Sequence, residues 1–426
     1  MINSLPLVSV IIPTHNRRGF LRRTLDALET QTFPLKQVEV IVVADGCTDD
    51  TVEILHHYRG SFTLRVLEQS CRGPAAARNR GSAYASGELL IFLDDDIEAG
   101  PSLIEAHVNA HECRPGYVGI GYLPLHPTGR TDFFSIELRI WWEAMFHIMR
   151  QPGHRYTYRD LLSGNFSIET KLFNTMGGFD PAFWCHEDYE FGVRLIKAGI
   201  SFIFASDAIG YHHEITDLGR SLQRKYDEGR ADVLLGRRHP DLLPVLPLAR
   251  FVLPSSSPSR LRRHLAFQWS SAGRVMVGGL RQTLRLLEMV RFRGYWRWIL
   301  NMLLDYFYWL GVAEELHTEQ SVTDFLQECL VHENESAPEA EIDLCKGLEA
   351  AERLLDAKRP AGAQIRYGQQ WVGRIPSQSG AERLRGTHLR PILANQLARP
   401  LFKALALEGA IDLNVDSSQV LAACYL

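Results

Sequence analysis

The N-terminal half of this sequence predicts an α/β fold built on a mostly parallel sheet, on the strength of three observations. Short β-branched apolar runs at 8–12, 38–43, 64–67 and 89–93 alternate with segments of helical periodicity, as expected for strands covered on both faces by helices. Between the first two runs, Leu21, Leu25 and Leu28 form one apolar stripe on an otherwise charged segment, which reads as a crossover helix. Polar or acidic clusters then follow the first, second and fourth runs, where an open parallel sheet gathers its ligands.

Taken in order, a helix is expected over 74–86, with Pro74 in its first turn, alanines in its middle and Gly87 closing it. The strand at 89–93 runs directly into Asp94. From 117 to 217 the pattern is mixed: a short strand with Gly119 and Gly121, an aromatic-rich helix over 134–150, a loop over 153–164, a helix over 187–198 ended by Gly199, and a strand over 200–204. The first domain is therefore placed at 1–217. Residues 218–258 read as a charged helix followed, from 244, by a Pro/Ser-rich linker. Nine arginines against the single acid Glu288 mark 260–297, and thirteen acids against Lys346 and Arg353 mark 314–356. These shifts set off 259–313 as a basic, aromatic helical segment and 314–426 as an acidic, helical to irregular appendage.

At 426 residues and 46% hydrophobic content the chain can bury a large core, and its formal charge of −4 excludes nucleic-acid binding through bulk positive charge. Seven scattered cysteines without a CxxC pair suit a reducing cytosol. No basic region precedes an apolar one at the N-terminus, because the run from Leu7 to Ile12 stops at Pro13. The chain lacks GxGxxG after its first strand, GxxxxGK[ST] and GxSxG, so hydride transfer, P-loop chemistry and serine hydrolysis recede.

Asp94-Asp95-Asp96 ends an apolar strand and concentrates negative charge at one point, which is costly unless a cation neutralises it. Hard oxygen ligands suit Mg2+ or Mn2+, ions that also bind substrate phosphate, so a nucleoside diphosphate is the natural partner. The plainer alternative is a helix cap with solvated neighbours. Asp45-Gly46-Cys47-Thr48-Asp49-Asp50 reads equally well as ligand loop or as turn and cap.

The series Val8-Ser9-Val10-Ile11-Ile12-Pro13-Thr14-His15-Asn16-Arg17, Ala44-Asp45-Gly46-Cys47-Thr48-Asp49, Ala77-Arg78-Asn79, Leu93-Asp94-Asp95-Asp96, Gly164-Asn165-Phe166, Gly177-Gly178-Phe179-Asp180 and Glu187-Asp188 resembles glycosyltransferase family 2 across roughly 7–215. Each motif is weak alone; their order is specific. The resemblance implies a GT-A catalytic domain with a mostly helical C-terminal extension, an inverting mechanism, and a UDP- or GDP-type sugar donor. Carried onto this chain, it implies that Pro13, Thr14, Asn16 and Asp45 line the nucleotide, with Asp45 on the base. Asp94 and Asp95 hold the ribose or a metal-bound water, and Asp96, with Asp94, holds the metal. Arg78 reaches base or phosphate. Many relatives have Asp-Asp-Gly where this chain has Ala44-Asp45-Gly46, but the base-reading second acid is kept.

Inversion requires a base that strips the acceptor hydroxyl as it attacks opposite the leaving nucleotide. By resemblance that base is Asp188, with Glu187 orienting it or the acceptor, at a helix N-terminus whose dipole favours an ionised carboxylate. Glu190 is expected at the solvent or paired with Arg194. His212, preferred over His213, is a candidate metal ligand, and Arg220 and Arg224 are candidates to clamp the diphosphate. Gly164, Asn165 and Trp184 fall on the acceptor side, although packing in the core is the preferred reading of Trp141, Trp142 and Trp184. The acceptor is a hydroxyl on a glycan, lipid or protein. Rival readings are a nucleotidyltransferase and a non-catalytic nucleotide-sugar-binding module.

Within 295–310, Arg297, Asn301 and Asp305 recur every four residues as one polar stripe. A spanning helix is therefore not expected. The segment 260–313 reads either as an element lying on a lipid surface, with the enzyme at the inner face of a membrane, or as a helix packed on the catalytic domain or a second subunit.

Overall fold

The apolar runs become β1 (Val8–Thr14), β2 (Val38–Asp45), β3 (Thr63–Gln69) and β4 (Leu89–Leu93). They are connected by α1 (Arg18–Leu28), α2 (Thr51–His57) and α3 (Pro74–Ala83). The computed structural model describes residues 7–411 apart from 128, 254–255, 269–270 and 331–338. Two residues of the expected linker and two parts of 314–426, namely 331–338 and 412–426, thus lie outside the described residues.

After β4 come β5 (Ile97–Ala99), α4 (Leu103–Cys113), β6 (Val118–Tyr122), α5 (Phe133–Met149), β7 (Asn165–Glu169), α6 (Thr170–Thr175), α7 (Glu187–Lys197) and β8 (Phe202–His212). The strands form one mixed sheet in the order β3-β2-β1-β4-β7-β6-β8-β5. The first four strands are parallel, and β7 is antiparallel to both β4 and β6. Strands buried on both faces explain the unbroken apolar runs: Val10, Ile11, Ile12, Val40, Ile41 and Phe92 are fully buried. Leu21, Leu25 and Leu28 of α1 cover one face, and Phe92 stacks on Phe166 with ring centroids 4.8 Å apart.

Two boundaries differ from the sequence reading. α3 stops at Ala83, because Gly87 is needed elsewhere: a Cβ there would lie 2.6 Å from the Ser9 nitrogen, so the glycine admits β1 rather than closing the helix. β8 runs to His212, far beyond 204, because it changes partners along its length. It pairs with β6 first and with β5 last, Ile97 opposite His212, through a stretch whose Asp207 and Gly210 break the β pattern in sequence.

Beyond the sheet, α8 (Leu218–Arg238) is capped by the Asp217 side chain, which accepts from the Arg220 amide. It is followed by α9 (Ser257–Gln268), α10 (Ser271–Met289), α11 (Arg293–Leu316) and α12 (Glu319–Leu330). The start of the expected linker is folded: Pro240–Val245 and Pro247–Phe251 are 3-10 turns that bury Leu242, Leu243, Leu246 and Leu248. Proline density marked a turn, and the intervening leucines decide that it is packed. α8 crosses α11 backbone against backbone at Gly229 and Gly311, where an added Cβ on Gly311 would overlap the Tyr226 carbonyl oxygen. Gly311→Ala is accordingly expected to cost about 1–3 kcal/mol, typical of overpacking a tight contact. A thermal melt within error of the parent would show that the crossing relaxes at no cost.

The C-terminal part is mostly helical, with α13 (Leu348–Lys358), α14 (Gly386–Asn395) and α15 (Ala398–Leu407), but it holds a sheet that the sequence reading lacked. β9 (Glu339–Asp343), β10 (Gly362–Tyr367) and β11 (Gln370–Ile375) enclose a second core with Ile342, Leu355, Ile365 and Leu389. These strands are five or six residues long and rich in Glu, Gln and Arg, so their alternation is short and easily overlooked. Arg155 anchors this part to the half that bears the eight-stranded sheet through the Glu382 and Ala361 carbonyls.

Candidate active site

The site forms where β1, β2 and β4 end and α7 begins. Pro13 is the penultimate residue of β1, and Thr14 donates to Asp95 Oδ2 at 2.7 Å. Asn16 takes a left-handed conformation (φ 53°), and its side-chain oxygen accepts from the Thr48 and Asp49 amides, tying the loop after β1 to the loop after β2. Asp45 is buried and fully engaged: Oδ1 accepts from the Gln69 side chain and the Arg72 amide, Oδ2 from the Gly73 amide, each at 2.8 Å. Its carboxylate thus shapes the turn ahead of α3. Trp184, 63% exposed, lies over that turn with its indole against Gly73, shortly before α7 begins.

The three aspartates diverge. Asp95 and Asp96 are buried and Asp94 is half-buried. Burial, with Asp96 and Asp94 alongside, pushes the Asp95 carboxyl up to about 7 despite Arg17 and the Thr14 hydroxyl. Arg17 reaches both, bonding Asp95 at 3.3 Å and Asp96 more closely. No role was assigned to Arg17 from sequence, although it closes the first motif; its signal was its place directly after the strand-end polar cluster. Its guanidinium supplies the positive charge that the cluster demands.

The donor set fits a divalent cation. Asp96 Oδ1 is buried, has no hydrogen-bond partner among the described residues, and lies 3.5 Å from His212 Nε2. A hard carboxylate oxygen and an imidazole nitrogen are ligands that Mn2+ and Mg2+ accept in that order of preference for nitrogen. The structure brings His212, and not His213, to Asp96: His213 turns away to Glu98 at 2.7 Å. Their backbones explain the split, because His212 ends β8 opposite Ile97 while the His213 amide bonds the Asp96 carbonyl.

Arg78 carries the connection. It is buried, with one terminal nitrogen 2.6 Å from Asp94 Oδ1 and the other 2.7 Å from Glu187 Oε1. Burial works against its charge, and the two carboxylates outweigh it, holding the guanidinium above its ordinary range. Arg78 therefore bridges acids where a reach to base or phosphate was expected, since a buried cation must be paired. Glu187 likewise faces Arg78. Asp188 is half-buried; its Oδ2 accepts from the Ser163 amide at 3.2 Å and its Oδ1 from the Tyr189 amide.

Of the two alternatives for Glu190 the structure has the pair with Arg194, at 2.8 Å; the carboxylate is buried and also meets His239 at 3.2 Å. One expectation is corrected by burial. Asn165 is fully buried and spans the sheet interior, its amide donating to the Ala208 carbonyl and its oxygen meeting His107, so it does not face an acceptor. Gly164 is in place beside Asp94, where a Cβ would stand 2.9 Å from Oδ2. Trp142 is buried and donates to the Leu123 carbonyl, with its ring 5.3 Å from that of His212, whereas Trp141 is exposed. Arg220 is exposed and Arg224 pairs with Glu228 at 3.4 Å.

The helical extension also reaches the site. His186, the residue before α7, is left-handed (φ 64°), stacks on Tyr189, and sets Nδ1 3.3 Å from Asp232 of α8. Asp232 in turn accepts from the Tyr308 hydroxyl of α11 at 2.7 Å. Burial disfavours the imidazolium, but the neighbouring Asp232 carboxylate outweighs it and raises His186 above its usual range. α8 and α11 thus brace the strained residue on which α7 starts.

Residues 9–177 match the profile described as Glycosyl transferase family 2, and 143–217 match one described as the N-terminal domain of galactosyltransferase. A validoxylamine A glucosyltransferase of Streptomyces hygroscopicus subsp. jinggangensis is 32% identical over 305 residues, 63% of this chain and 69% of that protein. The glycosyltransferase AglE of Haloferax volcanii is 28% identical over 236 residues, 55% of this chain and 75% of that protein. Among solved structures, a mannosyltransferase of Pyrobaculum calidifontis in complex with GDP-Man and Mn2+ aligns at a TM-score of 0.48 and 17% identity, covering 71% of this chain and 86% of that one. Fold and relatives together place the protein among the glycosyltransferases. The chain belongs to glycosyltransferase family 2, and its sheet-bearing half is a mixed α/β domain.

Proposed function

We propose that this enzyme transfers a sugar from a UDP- or GDP-type nucleotide sugar to a hydroxyl acceptor with inversion, using Mn2+ or Mg2+ at Asp96 and His212. The observation that carries this reading is the Arg78 bridge: one buried guanidinium ties Asp94 of the acidic cluster to Glu187, next to Asp188. Cation site and base are thereby held in one rigid frame. A bound cation would supply charge neutralisation to the diphosphate as it leaves.

The remaining work falls to the chain's own groups. Asp188 Oδ2 takes the proton of the acceptor hydroxyl, held in place by the Ser163 and Tyr189 amides. Asp45 keeps the turn at 71–73 closed under Trp184, whose exposed ring forms a wall on which a base or sugar ring stacks. Unpaired Cys47, Cys71, Cys113, Cys185 and Cys345 suit a cytoplasmic enzyme.

A panel of nucleotide sugars with Mn2+ tests the reading. Release of nucleoside diphosphate from one of them is expected, accelerated by acceptor. Release of pyrophosphate from nucleoside triphosphates instead would assign the site to nucleotidyl transfer.

A further inference from the structure

The hairpin of α10 and α11 has one face in the protein and one that nothing among the described residues covers. Inward, Leu284, Trp296, Ile299, Leu300 and Leu303 form a cluster with Phe133 of α5 and Leu222 of α8. Outward, Leu286, Met289, Val290, Phe292, Tyr295 and Trp298 are each more than half exposed, Met289 at 78%. The last three aromatics follow one another at helical spacing, with ring centroids 5.0 Å apart from Phe292 to Tyr295 and 6.4 Å from Tyr295 to Trp298. Single exposed apolar residues are ordinary, but a contiguous ladder of this size at one corner marks a contact surface.

The charges around the ladder select the occupant. Arg281, Arg285 and Arg297 are exposed and have no carboxylate partner among the described residues. Glu288 is turned inward to the Phe133 amide, and Arg293 is paired with Glu137 of α5. A second copy of the chain seated here about a twofold axis would bring the same arginines face to face, which is repulsive. A nucleic acid would satisfy the arginines but leave Leu286, Met289 and Val290 without a partner. An anionic lipid surface satisfies both: headgroups meet the guanidinium groups while the aromatic and aliphatic side chains settle at the acyl boundary. No helix among the described residues is long and apolar enough to cross a membrane, so the contact is one of lying on the surface.

We infer that this corner docks on an anionic lipid surface and thereby presents the active site to an acceptor carried in that surface. The link to the site is α5. Glu137 holds Arg293 of the hairpin, and Trp142, about 7.5 Å further along the same helix, packs beside His212. The sequence reading left 260–313 open between lipid contact and core packing; the helix does both, one face each. Asp305 of its polar stripe lies 3.8 Å from Arg262, and Arg297 remains at the surface. This inference deepens the proposed transfer reaction, naming where its acceptor resides.

The test is flotation of the full chain with phosphatidylglycerol/phosphatidylcholine vesicles at low salt, against phosphatidylcholine alone. Binding to the anionic vesicles is expected, lost at high salt and weakened on the order of 100-fold in R281E/R285E/R297E. Tyr295→Ser with Trp298→Ser should weaken it while retaining salt dependence. Nucleotide release without vesicles is read in parallel and should be unchanged in both variants, which separates failure of docking from failure of the transfer reading. A parent protein that stays with the soluble fraction overturns the inference. So does a parent dimer that Tyr295→Ser/Trp298→Ser turns to monomer without any flotation, which would make this face a subunit interface.

Discussion

Asp188→Asn is expected to lower transfer by ~100-fold or more while donor and metal affinity stay at the parent level. The asparagine keeps the size of the side chain, and its oxygen can still accept from the Ser163 or Tyr189 amide. What it loses is the ability to take a proton as the acceptor hydroxyl attacks. The cation site is untouched, because Arg78 and Glu187, not Asp188, join α7 to the acidic cluster. The expected signature is therefore a fall in kcat with donor Kd constant by calorimetry. Turnover within a few-fold of the parent would remove Asp188 from the role of base. A parallel loss of donor affinity would show instead that it positions the sugar.

Asp96→Ala is expected to abolish the metal-dependent part of donor affinity, a loss of ~100-fold or more, since even removal of an outer partner of a metal costs 10–100-fold. Two features of the site make this the most sensitive position. Asp96 Oδ1 is a buried oxygen without a hydrogen bond among the described residues, and it lies 3.5 Å from His212 Nε2. Removing it also leaves Arg17 with Asp95 alone. Calorimetric titration of the donor with and without Mn2+ reads the effect: the variant should behave with Mn2+ as the parent does with chelator. A parent enzyme fully active in chelator would defeat the cation assignment, whatever the variant does.

Much of the catalytic half was legible because its signals are local. Buried parallel strands must be apolar throughout, so β1 to β4 are visible as runs, and the residues directly after them lie at the sheet's carboxyl edge by construction. Thr14, Asp45, Asp95 and Asp96 could be placed at that edge without coordinates. Which partner each would find could not, because partners come from distant parts of the chain. Arg78 meets Asp94 and Glu187 across 16 and 109 residues. Asn165, expected near the acceptor from its motif, is instead held inside the sheet by His107 and the Ala208 carbonyl.

The sequence alone determined the α/β class and the order of the site-bearing loops, since periodicity and strand-end polarity act over a few residues, and the ordered motif series carried the family resemblance; the polar stripe at 297, 301 and 305 argued against a spanning helix, and no helix among the described residues is long and apolar enough to cross a membrane. Only the tertiary structure decided that Arg78 is a bridge, that His212 and not His213 faces Asp96, that Pro240–Phe251 is packed rather than extended, and that α11 buries one face against α8 while exposing another. The reason is common to all four. A side chain's burial and its charge partner are set by elements folded against it from elsewhere, and an unpaired buried charge costs more than local preference can supply.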